Sequence, residues 1–371
     1  MELKILCSPL LWFVFVPCLH SQNIQTRIRH FVDSVYKSNP AATGFLVDVE
    51  APAKNISWSY AVGYANRSTR QKLLTTDPLL LSSNTKPYVA ATILTLVAKG
   101  KLQLGEPVKN LLKPASAKSL SSAGYQLDKI TVKNLLSHTS GIRDYVDEDY
   151  FKFIGAHKSH EWTREAQIER AAAEGAPLTN PGDTFRYADV NYLLLTEIIE
   201  KITRKPFYQS MRSLLDYKSL HLNHTWFVQL EPQPKNTRPL AHQYWDEFSW
   251  DTYDLNPSWD LYGGGGMAAT IKDMALYFQD LFTGKIIKDA GLLKAMTANV
   301  PPNLQINYCL GIRKIVVAGI ACYNHGGGLG TDVVYLPEVN ATVAVAALEA
   351  KHRETALQIR EGIVKLSATG K

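Results

Sequence analysis

Apolar residues recur at helical spacing near the start of the chain. Ile24, Ile28, Phe31, Val32 and Val35 fall on one side, with Arg27, Arg29, Asp33 and Lys37 among them, which predicts a helix over 24–37. The pattern then changes. TGFLVDVEAP (43–52) and SWSYAVGYAN (57–66) are rich in β-branched and aromatic residues and predict two strands of a hairpin. A short apolar segment, LLLSS (79–83), leads into YVAATILTLVAKGKL (88–102), an apolar helix expected to stop near Gly100. From about 105 to 260 the pattern is helical or irregular, with TVKNLLSHTSGI (131–142) and NYLLLTEIIEKITRKPF (191–207) the clearest helical runs. Strand composition returns in YCLGIRKIVVAGIACYNHGG (308–327) and TDVVYLPEVNATVAVAALE (331–349), and ETALQIREGIVKL (354–366) closes the chain as a helix. Strands at both ends with helices between them predict an α+β fold. Its antiparallel sheet is assigned to about 22–100 and 263–371, and a mostly helical subdomain to about 101–262.

Composition changes this picture little. The chain has 371 residues, 46% hydrophobic and 20% charged, enough for a large core. Forty basic against 34 acidic residues give +6, without long basic runs or a nucleic-acid motif, so a nucleic-acid partner is not expected. Residues 1–21 resemble an export signal: Lys4, an apolar stretch from Ile5 to Leu19, and Ser21 at the cleavage point. This predicts an exported, periplasmic or secreted protein; no later segment is a candidate membrane span. Cys7 and Cys18 lie in that segment, so Cys309 and Cys322 remain, either bridged or free, and no Cys/His spacing suggests a zinc site. Asn55, Asn66, Asn223 and Asn340 begin sequons that matter only in a eukaryotic host.

Two Ser-x-x-Lys matches carry candidate chemistry. Ser34 and Lys37 fall at polar positions of the first helix and read as a solvated face. Ser83 and Lys86 stand where an apolar segment turns into an apolar helix. There the hydroxyl meets the positive helix end, Lys86 follows one turn later on the same side, and Pro87 sits where its missing N–H costs least. A serine needs an adjacent base, and a buried lysine can supply one.

The run GYANRSTRQKLLTTDPLLLSSNTKPYVAATILTLVAKGKLQL resembles the nucleophile region of the serine β-lactamase-related superfamily. That group holds class C β-lactamases, D-alanyl-D-alanine carboxypeptidases, D-aminopeptidases and esterases. Its later signposts follow in order: ITVKNLLSHTSGI (130–142), NPGDTFRYADVNYLLL (180–195), GGGGMAATIKDMALYF and YNHGGGLG (323–330). The resemblance spans roughly 25–365. It implies an acyl-enzyme on Ser83, with Lys86 keeping Ser83 and Tyr187 poised. Tyr187 would shuttle the proton, its pKa depressed by Lys86, and the N–H groups of Ser83 and Gly328 would hold the oxyanion. Asp189, His325, Gly327 and Gly328 would contact substrate, with His325 flanking the pocket and helping to bind a substrate carboxylate or to polarise the site; no cofactor or metal is implied.

Two departures stand out. The family's Tyr-x-Asn is Tyr187-Ala188-Asp189 here, so an amide donor has become a carboxylate that favours a charged Lys86. Asn191 could replace that amide only if the local turn differs. The third motif carries His325 where class C β-lactamases mostly carry lysine, which points away from a dedicated β-lactamase. The expected activity is hydrolysis of a D-amino-acid peptide, peptidoglycan-type or other small substrate, or of a small ester. The alternatives are a β-lactamase and a non-catalytic penicillin-binding sensor. His138 is expected to be a hydrogen-bonded structural histidine, and Gly263–Gly266 a tight turn beside the site. The stretch YWDEFSWDTYDLNPSWDLY (244–262) reads either as a packed surface loop or as a pocket wall. As a wall, Asp246, Asp251 and Asp254 would attract an ammonium group.

Overall fold

The structure, a computed structural model, describes residues 18–300 and 307–369. Most of the expected export segment, residues 1–17, lies outside the described residues, and the expected cleavage point at Ser21 falls within the first helix, α1 (Cys18–Ser38). Strands from both ends of the chain make one seven-stranded antiparallel sheet. They are β1 (Gly44–Ala51), β2 (Ile56–Asn66), β3 (Gln71–Lys72), β4 (Arg313–Val317), β5 (Ile320–Gly326), β6 (Thr331–Leu336) and β7 (Ala341–Ala347), in spatial order β3-β2-β1-β7-β6-β5-β4. The seam between the two chain ends is the pairing of β1 with β7, in register Phe45↔Ala347 to Glu50↔Thr342.

Every residue of β1, β6 and β7 is buried, because helices cover both faces. On one face Ile28 and Val32 of α1 meet Ile359, Ile363 and Val364 of the C-terminal helix over Phe45, Val47, Val49, Val343 and Val345. Each such side chain contributes about 1.5–3 kcal/mol on leaving water. The other face packs on the helix Ile271–Phe282, within a core that continues through α2 (Lys86–Ala98) into the helical middle of the chain. That middle holds helices at Pro114–Ser122, Val132–Leu136, Glu148–Ala156, Arg164–Ala173, α3 (Val190–Thr203) and Phe207–Leu214.

α2 is buried from Lys86 through Leu96 and ends at Ala98, with Gly100 at φ +64° just beyond, as its sequence predicts. Cys309 and Cys322 are separate, buried free thiols, so no bridge joins them. Among the described residues no helix is long and apolar enough to cross a membrane.

Candidate active site

Two backbone features bring Ser83 to the surface of the core. Ser82 takes the left-handed conformation (φ +49°), and Ser82–Thr85 form a 3₁₀ turn that runs directly into α2. Ser83 is half-buried while its neighbours Ser82, Asn84, Thr85 and Lys86 are buried. The turn is tied to β6: Thr331 Oγ1 donates to Leu81 O (3.0 Å) and accepts from Asn84 Nδ2 (2.8 Å). Gly327 lies in the same contact. A Cβ there would sit 2.2 Å from Thr331 Oγ1 and 2.5 Å from Leu81 O, so only glycine lets the end of β5 approach the turn. Ser34 and Lys37, the other match, are exposed on α1.

Lys86 is fully buried, and its Nζ meets three oxygens: Ser83 Oγ at 3.1 Å, Gly264 O at 2.6 Å and Asp189 Oδ1 at 2.5 Å. Two of these contacts are hydrogen bonds, Nζ donating to Ser83 Oγ and to Gly264 O, whereas Asp189 Oδ1 is met as an ion-pair contact without hydrogen-bond geometry. The carboxylate that replaces the family amide is thus the ion-pair partner of the lysine. The Gly263–Gly266 run is a tight turn beside the site, and a Cβ on Gly264 would press on the Asp189 side chain at 3.2 Å.

Tyr187 stands beside this pair, with Lys86 Nζ 4.9 Å from its ring centroid. Its expected depressed pKa is corrected. Burial first, and then the negative charge of Asp189, push the phenol well above its ordinary value, while a hydrogen bond with the Ser83 side chain pulls the other way. Tyr187 is thus a neutral phenol at rest. Its backbone is clamped by His138, whose carbonyl accepts from Arg186 N (2.8 Å) and whose Nδ1 accepts from Ala188 N (3.2 Å). The His138 ring lies 4.2 Å from the Tyr187 ring, and burial holds it neutral, so it is the structural histidine expected. Asn191 does not stand in for the missing amide: its Oδ1 accepts from Ser140 Oγ (2.6 Å) and its Nδ2 faces His138 Nδ1 (3.2 Å).

Asp144 was not singled out from the sequence. Its Oδ1 accepts the N–H of Asp189 (2.9 Å) and of Val190 (3.3 Å), capping α3 from outside. Burial and the neighbouring Asp189 charge push its carboxyl up to about 8. The downstream HTSGIRD context was its only signal, because the cap joins residues far apart in the chain.

His325 is buried and engaged at both ring nitrogens. Nδ1 meets Gly326 O at 3.0 Å, which requires the proton there, and Nε2 then accepts from Tyr308 OH at 3.1 Å. Burial and the charges of Lys86 and Arg313 hold the ring neutral. The expected contact of His325 with a substrate carboxylate is corrected accordingly, since the ring has neither a charge nor a free donor. The nearby cation is Arg313 on β4, also not singled out from the sequence, 6.0 Å from the Tyr187 ring and 5.8 Å from the Tyr308 ring. Gly327 N donates to Thr331 O (2.7 Å), so Gly327 acts through packing, whereas the exposed Gly328 borders the cleft. Ser83 is second in its 3₁₀ turn, so its N–H has no carbonyl one turn earlier within that turn.

A cleft of about 80 Å³ opens at Ser83, between Asp189 and Gly328, and is walled by Phe151, Trp245, Trp259 and Asp260. The 244–262 stretch therefore does form part of the wall, but not through the acids expected. Asp246 pairs with Arg67 (2.7 Å) and Lys351 (2.9 Å), Asp251 with His242 (2.8 Å), and Asp254 with Lys158 (3.6 Å).

The family model described as Beta-lactamase matches residues 50–361. Among curated relatives, the chain is 28% identical over 279 residues to a putative penicillin-binding protein PbpX of Bacillus subtilis (strain 168), covering 73% of this chain and 62% of that one. It is 30% identical over 175 residues to Protein flp of Staphylococcus aureus (strain N315), covering 47% and 33%. The chain thus spans a third to under two thirds of these relatives. Among solved structures, a D-stereospecific amidohydrolase from Streptomyces sp. has TM-score 0.74 at 23% identity, over 92% of this chain and 98% of that one. The D-amino acid amidase from Ochrobactrum anthropi SV3 complexed with L-phenylalanine has TM-score 0.76 at 18% identity, over 92% and 98%. EstCE1, described as a hydrolase with promiscuous acyltransferase activity, has TM-score 0.73 at 19% identity, over 93% and 99%. At these identities the structural likenesses establish the fold, an α+β arrangement of the β-lactamase/transpeptidase type.

Proposed function

The chain belongs to the Beta-lactamase family, and from that premise we propose that it is an exported serine hydrolase acting through an acyl-Ser83 intermediate. Its substrate would be an amide or ester of the D-amino-acid class. The observation that carries this reading is the contact between Lys86 Nζ and Ser83 Oγ (3.1 Å) at the floor of a cleft that Tyr187 adjoins. The names of the penicillin-binding relatives and the amidase neighbours support the substrate class, and the N-terminal residue pattern supports export.

The steps follow from the resting protonation. Ser83 Oγ attacks the carbonyl carbon as its proton passes to Tyr187 Oη, and Tyr187 gives its own proton to the leaving nitrogen or oxygen. The carbonyl carbon then loses that group, leaving an ester on Ser83. Water reverses the path, with one of its protons reaching Tyr187 and the Tyr187 proton returning to Ser83. Lys86 orients Ser83 and faces the negative charge of Asp189. Backbone N–H groups of Ser83 and Gly328 would hold the oxyanion.

The test is a panel of D-Ala-D-Ala peptides, D-amino-acid amides, nitrocefin and p-nitrophenyl esters, run on wild type and Ser83→Ala. Turnover lost in Ser83→Ala supports the reading; turnover retained there contradicts it. Preferential nitrocefin turnover makes the protein a β-lactamase, and a long-lived penicilloyl adduct without turnover makes it a sensor.

A further inference from the structure

Of the five carboxylates of the 244–262 stretch, Asp246, Asp251 and Asp254 already have cationic or imidazole partners, and Glu247 accepts from Trp245 Nε1 (3.4 Å). Asp260 differs. It lines the cleft together with Ser83, and among the described residues it has no ion-pair partner. Its place is fixed from behind: a Cβ on Gly265 would fall 2.0–2.4 Å from all three atoms of the Asp260 carboxyl, so the group lies flat against the Gly265 backbone. The charge balance around it is unequal. Asp189 repels both Asp144 and Asp260, Lys86 is the one cation acting on both, and it is engaged by Asp189 at 2.5 Å. Burial and the Asp189 charge push the Asp260 carboxyl well above the usual carboxylate range, and only the Lys86 charge opposes them. A half-buried carboxylate in that position gains from a cation brought by the ligand. The remaining walls, Phe151, Trp245 and Trp259, are aromatic and suit both a cation and an apolar side chain.

We infer that the cleft carries an ammonium subsite centred on Asp260, so that the preferred acyl donor is an amide or ester of an amino acid whose α-amino group is free. An α-amino group lies one carbon from the carbonyl that Ser83 attacks, which matches a carboxylate and a nucleophile lining the same cleft. The inference rests on the serine-hydrolase reading and adds direction to it: the residue left on Ser83 is an unblocked amino-terminal one. Gly265 belongs to the same device, since any side chain there would displace the Asp260 carboxylate.

The experiment compares kcat/KM for D-phenylalanine p-nitroanilide and its N-acetyl form. Taking the ratio on one protein cancels any general loss of activity. Wild type should prefer the free amine by about 100-fold or more, and Asp260→Asn should cut that ratio at least about tenfold, with Asp260→Glu retaining most of it. Equal or better use of the blocked substrate by wild type overturns the inference without any variant. An Asp260→Asn ratio within twofold of wild type overturns it too. Binding is read separately by titrating D-phenylalaninamide and N-acetyl-D-phenylalaninamide into Ser83→Ala. Selective binding of the free amine, lost on adding Asp260→Asn, supports the subsite even where turnover is slow, and equal affinities overturn it. A failure of the serine reading looks different, because hydrolysis would then persist in Ser83→Ala.

Discussion

Replacing Asp189 with alanine strands a lysine that has no exposure to water. At 2.5 Å the Lys86–Asp189 pair attracts by about 7 kcal/mol in an effective dielectric of about 20. Much of that is offset by the cost of desolvating both ions. The loss on truncation is set by the unpaired buried ammonium and should be about 3–5 kcal/mol. Asp189→Asn keeps an oxygen facing Lys86 and should cost about 1–2 kcal/mol. The chain has 371 residues, and an unfolding entropy of about 2.1 cal/mol/K per residue converts these into falls of about 4–6 °C and about 1–3 °C in Tm. An opposing effect is built in, because removing Asp189 relieves the repulsion on Asp144 and Asp260. Scanning calorimetry at neutral pH and low salt decides between them. Equal shifts for the two variants, or a rise in Tm for alanine, would refute the view that Asp189 exists to balance Lys86.

Asp189→Asn also removes the main charge that pushes the Tyr187 phenol up, so the alkaline limb of its kcat/KM profile should move to lower pH, and an unmoved limb would count against Tyr187 as the shuttle. Asp144 has a folded value of about 8, above the ordinary carboxylate range, so its contribution to stability is full below about pH 4 and is lost as pH rises toward 8. Asp144→Asn should flatten that part of the stability profile, though not abolish its slope, since Asp48 and Asp260 titrate in the same sense; an unchanged slope contradicts the assignment. Gly327→Ala drives a methyl into Thr331 Oγ1 and Leu81 O and should shift the nucleophile turn, lowering kcat by about 100-fold with little change in secondary structure by circular dichroism. An active Gly327→Ala enzyme would show that the turn tolerates displacement.

The sheet was legible because its strands at both chain ends carry dense β-branched runs, and the seam between β1 and β7 follows from two such runs meeting. Ser83 was legible for a local reason: Ser, Lys and Pro stand in fixed positions at a helix start. What stayed hidden depends on contacts between distant segments. Nothing local says that Asp144 caps α3 or that Asp260 rests on Gly265. Nor does the residue string separate Asp260 from Asp246, Asp251 and Asp254, which differ in partners rather than in neighbours along the chain. The expected roles of Tyr187 and His325 came from the family resemblance, whereas their charge states are set by burial.

The mechanism turns on acylation at Ser83 Oγ. Intact-mass spectrometry after brief incubation with a fluorophosphonate or a fluorescent penicillin, followed by peptide mapping, reads this directly. The account predicts a single adduct on the peptide containing Ser83, absent from Ser83→Ala. An adduct on another residue, or one that survives in Ser83→Ala, would contradict it.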